Sequence, residues 1–465
     1  MKSEGVSSAV GAIMLISVAA LAMGIVVLFL FSTPLPTSVP AFTGIISNSS
    51  MIVYISHEGG DTLYVGQFKI LVDGVDRTSN FTQSITGPFS LGKVMKANVT
   101  YYPSRVVLLH NTSTGGETVL LSANLLGAAP FTPPGWYSSS WLFRKKITIR
   151  GSQVTGSHTD FPVLIYLVDG DLQFDALAGG NDILFTSWDG TTRIPHEIEF
   201  FNKQSGSLTA WVKVPSLTSG VDTVIYVYYD NPGASSQQDP ANVWSNGYAG
   251  VWHLNSSFAD STSHAYNGVN TATTDQGGQI GRARGFDGTG NQYITISGLL
   301  GSPATVTMSA WARLTAADTL GSELASMGDN VSVRINHPTD KTFGFYRNST
   351  EWPRTLSGVT VTTATWHHIV YIANPAANSE AFYIDGELKK TTGYGIEAIV
   401  YQPSLNTIIG KHPLGTSWDF NGIIDEVRVS STARSQDWIA TEYTNQNNPA
   451  GFITISTEQG PLTMS

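Results

Sequence analysis

Cysteine is absent from all 465 residues, so disulfides, thiolate metal sites and cysteine nucleophiles play no part in this protein. Charge is scarce: Asp, Glu, Lys and Arg make up 13% of the chain, and 35 acidic against 25 basic residues leave a net charge of -10. No basic run interleaved with aromatics is present to track phosphates, which argues against nucleic acid as a partner. Catalytic signatures are missing as well. The chain has no G-x-S-x-G elbow, no H-E-x-x-H pair and no glycine-rich phosphate loop, the arrangements that mark a serine hydrolase, a zinc protease or a nucleotide enzyme. What is plentiful is glycine, 46 residues, together with Ser, Thr and Asn. That is the composition of strands joined by tight turns, and the length suits roughly three domains at about 150 residues each.

Asp, Glu, Lys and Arg are missing altogether from Val6 to His57. Within that stretch Ala9 to Phe31 is apolar apart from small residues, and at about 1.5 Å per helical residue it spans roughly 35 Å, enough to cross a bilayer core. It also exceeds the apolar core of about 7 to 15 residues found in a cleavable secretory signal. Lys2 and the amino terminus supply the only positive charge nearby, which places the N-terminus in the cytoplasm and the residues after Ser32 outside. Ser7, Gly11, Ala20 and Gly24 fall at i, i+4 spacings that let helices approach backbone to backbone; in a lone transmembrane helix the same residues are simply small. Pro34, Pro36 and Pro40 end the helix.

The stretch EGVSSAVGAIMLISVAALAMGIVVLFLF resembles the N-terminus of archaeal type IV pilins. The resemblance implies that residues 1–5 are a leader, that a prepilin peptidase cuts between Gly5 and Val6, and that the helix 6–32 packs with other pilin subunits. After a Pro-rich linker at 33–40, MIVYISHEGGDTLYVGQFKILVDGVD alternates apolar and polar residues around Gly59-Gly60 and Asp73-Gly74, and RVVLLHNTSTGGETVLL reads as a hairpin turning near Gly115-Gly116. These patterns predict a small all-β head over 41–128, and SHEGGDTL with PFSLGK also resembles the archaeal pilin head. His57, Glu58 and Asp61 within it read as a polar turn rather than a metal site. Asn48, Asn80, Asn98 and Asn111 begin N-x-Ser/Thr sequons in the head, as Asn255, Asn330 and Asn348 do farther on. The outward orientation makes the head sites candidates for glycosylation.

A second proline cluster, GAAPFTPPGWY, marks a linker at 129–135, and all 11 tryptophans follow it, from Trp136 onward. WLFRKKITI, DFPVLIYL, NDILFTSWDGTTRIPHEIEF, LTAWVKVP and DTVIYVYYDNP are strand-length runs, with Asp189-Gly190 a hairpin signal. They predict a β-sandwich over 136–233. Their order resembles DUF2341, a domain family of unknown function that commonly precedes lectin-like domains in surface proteins. Glu197 and Glu199 are two apart, so a regular strand projects both carboxylates from one face, as glycoside hydrolysis would need. Ile198 and Phe200 on the opposite face make solvated acids on a half-buried strand the expected reading. Asp169, Asp171 and Asp175 in DGDLQFD lack the sixth-position glycine of a calcium loop and read as a solvated acidic loop.

After a linker at 234–249, GVWHLNSSFADSTSHAYNG, ARGFDGTGNQYITIS, TMSAWARL, TWHHIVYIA, AFYIDGELKK and FNGIIDEVRVS together resemble LamG-like jelly rolls of the concanavalin A-like lectin class, over 250–460. Phe382 and Ile384 alternate into an Asp385-Gly386 turn, and Trp311 and Trp366 are expected in the sandwich core. In IDEVRV, Asp425 shares parity with Val427 and Val429 and is expected to point to the apolar face, where backbone amides or a cation must compensate it. The resemblance implies structural calcium there, with oxygens from Asp260 and Asn267. Trp352 and Trp418 lie in polar turn-rich segments, where an exposed indole stacks on a sugar ring or else packs on its own domain. His367 and His368 face opposite sides of their strand and cannot chelate one ion together. The run E-x-D-x-x-E used by concanavalin A-like hydrolases is missing between Gly250 and Ser465.

These features predict a mainly β protein: a hydrophobic N-terminal helix, a small β head, a β-sandwich and a jelly roll. The expected role is a surface-exposed pilin-like adhesin, not an enzyme, with a helix that passes through the cytoplasmic membrane and joins a filament. Glycans or surface polymers are its expected ligands. Two other readings keep the same domains: a binding protein held by a single membrane helix, and a surface glycosidase.

Overall fold

The computed structural model describes residues 39–49, 52–99, 103, 105–111, 116–125, 135–393, 395, 397–415 and 417–460. Gly5, Val6, the leader and the helix expected at 6–32 lie outside the described residues. Among the described residues no helix is long and apolar enough to cross a membrane. They form two compact units, one ending before 126 and one beginning at 135.

The first unit is all-β apart from the short helix Thr78–Thr82. One antiparallel sheet orders Phe42–Ser49, Ile52–Gly60 and Val94–Asn98, and a second orders Val75–Asp76, Phe68–Val72, Arg105–Asn111 and Glu117–Asn124. Alternation does what it predicts: Val53, Ile55, Ile70, Val72, Met95, Val106 and Leu108 all enter one core. Asp73 and Gly74 take φ of 48° and 82°, the left-handed pair that a two-residue hairpin turn requires. His57 is fully buried within the strand Ile52–Gly60 and not in a polar turn; its ring lies 4.8 Å from Phe42 and 5.2 Å from Phe89, and Nε2 meets the Asp61 carbonyl oxygen at 2.8 Å.

The second unit holds two sandwiches with intimate contacts. In the first, Arg193–Ile194, Leu184–Ser187, Thr223–Tyr229, Phe143–Ile149 and Ile453–Ile455 form one sheet, and His196–Asn202, Ser207–Thr218 and Ser157–Val168 form its partner. Its last strand therefore comes from the chain end, so the span 250–460 is not one jelly roll: Phe452 and Ile453 belong to the first core. The Asp189-Gly190 turn appears as expected. Against the opposing effect of burial, hydrogen bonds from Thr192 and Thr191 hold the Asp189 carboxyl down at about 2. Asp169 and Asp171 pair with the buried Lys145 ammonium at 2.5 and 2.7 Å, and of the two only Asp169, which caps the short helix Gly170–Asp175, is largely shielded from solvent.

The jelly roll faces Thr274–Gly277, Arg282–Asp287, Asn421–Ser430, Val306–Ala316, Trp366–Asn374, Ser379–Ile384 and Glu387–Thr392 against a second sheet. Tyr248–Trp252 adds to Asn421–Ser430 in the first of these. The second sheet orders Gly268–Thr271, Tyr293–Ile296, Thr407–Ile409, Ser322–Met327, Val331–His337, Lys341–Tyr346 and Arg354–Leu356. Phe382 and Ile384 enter the core between the sheets. Trp311 does not: it is 1% exposed but lies on the outer face, where Nε1 donates to Gln446 Oε1 at 2.6 Å and the ring stacks on Tyr443. Trp366 is only half-buried.

The cover over Trp311 is the helix Gln436–Asn447, N-capped by Ser435, whose Oγ accepts from the Trp438 amide at 3.1 Å. This helix has no single apolar face, yet Trp438, Ile439, Thr441, Glu442, Asn445 and Gln446 are buried. Trp438 enters the first sandwich's core, 4.6 Å from Phe161. Ile439 packs with Val370, Ile372 and Tyr383 of the jelly roll. Asn445 binds Leu164 through both its amide groups, at 2.7 and 3.0 Å, much as a neighbouring strand would.

Glu380, 2% exposed, is a buried acid that sets a pH dependence. Its Oε2 accepts from Tyr371 at 2.6 Å and Thr355 at 3.1 Å, yet burial lifts its carboxyl from the ordinary 4.5 to about 7. Below the ordinary value both folded and unfolded chains are protonated. Between the two values only the unfolded chain ionises, so stability falls with rising pH by up to about 3 kcal/mol. Glu380→Gln is expected to raise the melting temperature near pH 8 and to leave it unchanged near pH 4. Parallel wild-type and variant profiles across that range would remove the assignment.

Candidate functional site

Strand Val331–His337 sends Val333 and Ile335 into the jelly-roll core and places Arg334 on the outer face, and the neighbouring strand Lys341–Tyr346 adds Phe343 and Phe345 there. The Arg334 guanidinium lies 5.7 and 5.5 Å from these two rings and 4.4 Å from Trp418. It is pinned by Glu323 at 2.8 Å. Around this floor runs a cavity of about 530 Å³, to which Asp329, Trp352, Arg354, His412 and Trp418 also contribute. The two tryptophans that sequence marked as separate loop indoles therefore line one cavity.

Each is positioned by polar contacts. Trp352 stays 43% exposed, donates Nε1–H to the Asp329 carbonyl at 3.1 Å and carries the Arg347 guanidinium 5.4 Å from its ring. Trp418 has φ of 75°, a left-handed conformation costly for a bulky residue. It is held there because its amide donates to Asp318 Oδ2 at 2.6 Å, and its ring lies 4.9 Å from His412. His412 Nε2 meets Asp329 Oδ1 at 3.1 Å. Aromatic faces beside fixed donors and acceptors are the means by which a cavity orients a polyhydroxylated ligand. Asp329 is the one carboxylate among the lining residues, and glycoside hydrolysis needs a pair.

Of the expected calcium ligands, Asp260 and Asn267 are hydrogen-bonded to each other, and Asp425 has a separate partner. Asp260 and Asn267 adjoin, Asp260 donating its amide to Asn267 Oδ1 at 3.0 Å. The Asp260 carboxylate already accepts four hydrogen bonds, from Val251, Thr262 twice and Tyr266, which uses its lone-pair sites. Asp425 shares no hydrogen-bond partner with them. Ile424, Val427 and Val429 are the core residues of its strand; a register shift against Ser309/Trp311 and a φ of 53° at Glu426 break the parity between Asp425 and Val427. Asp425 Oδ2 accepts from the Ile280 amide at 2.9 Å, while Oδ1 is buried without a partner. Of the head sequons, Asn80 and Asn98 are exposed and Asn111 is half-buried, donating to the Gly66 carbonyl at 3.2 Å; the Asn48 side chain lies outside the described residues. Asn330 and Asn348 are buried and Asn255 half-buried.

A second constellation was not expected. Glu197 and Glu199 are not solvated: their side chains are 13% and 1% exposed, because a bulge between Ile198 and Phe200 turns Phe200 out to solvent. Glu197 Oε2 accepts from Trp244 at 2.6 Å and Glu199 Oε2 from Trp211 at 3.0 Å. From the jelly roll come His253, with Nε2 at 3.2 Å from Glu197 and Nδ1 at 2.7 Å from Glu426, and Arg428, which pairs with Glu426 at 2.6 Å and Glu442 at 2.8 Å. Burial and the neighbouring Glu426 charge push the Glu199 carboxyl up to about 8, and the same two causes lift Asp425 well above its ordinary range. Burial alone would also raise Glu197 and Glu426, but His253 holds both below the usual carboxylate value. The only hint of this site in sequence was the Glu197, Glu199 spacing.

Residues 179–277 match the family model described as domain of unknown function (DUF2341), and residues 287–440 match that of the concanavalin A-like lectin/glucanases superfamily. No curated protein matches the chain. Among solved structures it is similar to domain 4 of AbnA, a GH43 extracellular arabinanase from Geobacillus stearothermophilus, in complex with arabinotriose, at 18% identity and a TM-score of 0.37, over 42% of this chain and 98% of that one. The binding domain of Paraclostridial Mosquitocidal Protein 1 is similar at 12% identity and a TM-score of 0.37, over 43% and 52%. A heptameric SAP-like pentraxin from Limulus polyphemus gives 15% identity and a TM-score of 0.26, over 34% and 78%. The chain spans about half the length of the mosquitocidal binding domain. The two matches lie in series, the DUF2341 model ahead of the concanavalin A-like lectin/glucanases model, and each spans less than half of the chain.

Proposed function

We propose that this protein is a surface-exposed binding protein whose jelly roll takes a glycan or similar surface polymer in the cavity between Trp352 and Trp418. The observation that carries the reading is the joint lining of that cavity by both indoles, Arg334, His412 and Asp329. The lectin/glucanase family match supports a carbohydrate ligand, and the single lining carboxylate supports binding over hydrolysis. The pilin-like N-terminus read from residues 1–32 supports a filament subunit that presents this domain outside the cell, with exposed Asn80 and Asn98 as glycosylation sites on its head.

The test is an array of plant, microbial and host polysaccharides probed with the full chain in detergent. Trp352→Ala is expected to weaken binding to any captured polysaccharide about tenfold, since a stacked aromatic contributes on the order of 1 kcal/mol beyond its buried area. Asp329→Asn should weaken it further by loosening His412. A polysaccharide bound equally by wild type and both variants would place the ligand elsewhere on the molecule.

A further inference from the structure

The structure assigns a divalent transition-metal site to Glu199, His253 and Glu426, held between the two sandwiches. One donor atom from each of the three lies within 4.8 Å of the others. His253 Nδ1 is 2.7 Å from Glu426 Oε1 and 3.7 Å from Glu199 Oε2. A second observation points to a ligand. Glu199 Oε1 is sealed from solvent and accepts no hydrogen bond, although buried carboxylate oxygens are expensive to leave unpaired. Asp425 Oδ1, in a residue with no exposed surface, is unpartnered in the same way.

The surroundings fit a metal ligand set. His253 Nε2 is fixed by Glu197, which is itself held by Ser261 at 2.7 Å and Trp244 at 2.6 Å. A carboxylate behind a histidine in this way selects the tautomer whose other nitrogen is free to bind metal. Glu197, Asp425 and Glu442 lie around these three residues, with Arg428 beside Glu426 and Glu442. One imidazole nitrogen with carboxylate oxygens suits Zn²⁺, Co²⁺, Mn²⁺ or Fe²⁺, whereas Ca²⁺ takes about six to eight oxygens. Ligand atoms around a tetrahedral ion at about 2.0–2.1 Å lie roughly 3.3 Å apart, so the Nδ1 to Oε1 contact opens by about half an ångström on binding. The turn at Gln279 to Gly281 covers the site. Gly281 has φ of 54°, and a Cβ there would come within 3.0 Å of Glu199 Oε1. The turn also lines a cavity of about 410 Å³. Because Glu199 belongs to the first sandwich and His253 and Glu426 to the jelly roll, the ion joins the two.

The alternative occupant is a proton: His253 as an imidazolium between Glu197 and Glu426, with no metal. The full chain in detergent, stripped with chelator and also refolded in its presence, is titrated with Co²⁺ and followed by visible absorption and by bound metal per chain. The expected result is about one Co²⁺ per chain with the d–d bands of a low-coordinate nitrogen and oxygen site, displaced by Zn²⁺. Glu199→Gln is expected to weaken binding at least about tenfold and to stay folded, because glutamine keeps an acceptor for Trp211 and brings no charge. His412→Gln, at the separate cavity, should bind Co²⁺ as wild type does. Absence of the bands in wild type, equal affinity in Glu199→Gln, or thermal stabilisation by Ca²⁺ alone would overturn the assignment.

Discussion

Arg428→Leu is expected to destabilise the second unit by roughly 3–5 kcal/mol, the usual cost of removing one partner of a buried ion pair. Arg428 is 2% exposed, bonds Glu426 and Glu442, and spreads its guanidinium 4.3 Å from the Trp211 ring and 4.7 Å from Trp244. Leucine fills part of the volume but leaves Glu442 without its counter-ion and Glu426 with His253 alone, next to Glu199 and Asp425. The loss should exceed that from Arg354→Leu, where the ion pair with Asp340 is half exposed and such pairs contribute about 0–1 kcal/mol. Chemical denaturation of both variants measures the difference. Equal midpoints would mean that the buried network adds nothing to the union of the two sandwiches.

Ending the chain after Asn448 is the second large effect, and it is expected to unfold the first sandwich, about 300 residues upstream in sequence. Ile453–Ile455 is the edge strand beside Phe143–Ile149, and the Arg150 amide donates to the Phe452 carbonyl at 3.0 Å. Phe452 is fully buried and Ile453 is 4% exposed. Losing a buried Phe and Ile costs about 5–10 kcal/mol together, before the ladder hydrogen bonds are counted, against a typical total of about 5–15 kcal/mol. Limited proteolysis with mass readout should then show early cleavage between 135 and 230, and wild-type resistance there would refute the dependence.

Much of the local architecture was legible in residue order. The Asp73-Gly74, Asp189-Gly190 and Asp385-Gly386 turns form where the dipeptides predict, because a tight turn is decided by the few residues that make it. The alternation of Phe382 and Ile384 placed them in the core for the same reason. Trp352 and Trp418 were recognisable as unusual loop indoles, but their meeting in one cavity was not, since they are far apart in sequence and joined only through the outer face of a sheet.

Face assignments failed wherever a bulge intervened. Glu197 and Glu199 read as solvated and Asp425 as facing the jelly-roll core, yet one irregularity at Ile198/Phe200 and another at Glu426 re-aimed them. A single extra residue flips every side chain beyond it, and nothing in a period-2 pattern announces where it will fall. The helix Gln436–Asn447 shows the same limit differently. It has no apolar stripe to betray it, because it is buried between two partners and hydrogen-bonds to both. By itself, then, the sequence determined the β class, the turns, the lectin-like domain and the kind of residue available for binding, all properties of short segments. Only the tertiary structure decided that two sandwiches share an interface, that the chain end completes the first of them, and that acids on separate strands converge on one histidine. Those outcomes depend on which distant surfaces can bury each other, and no local pattern encodes that.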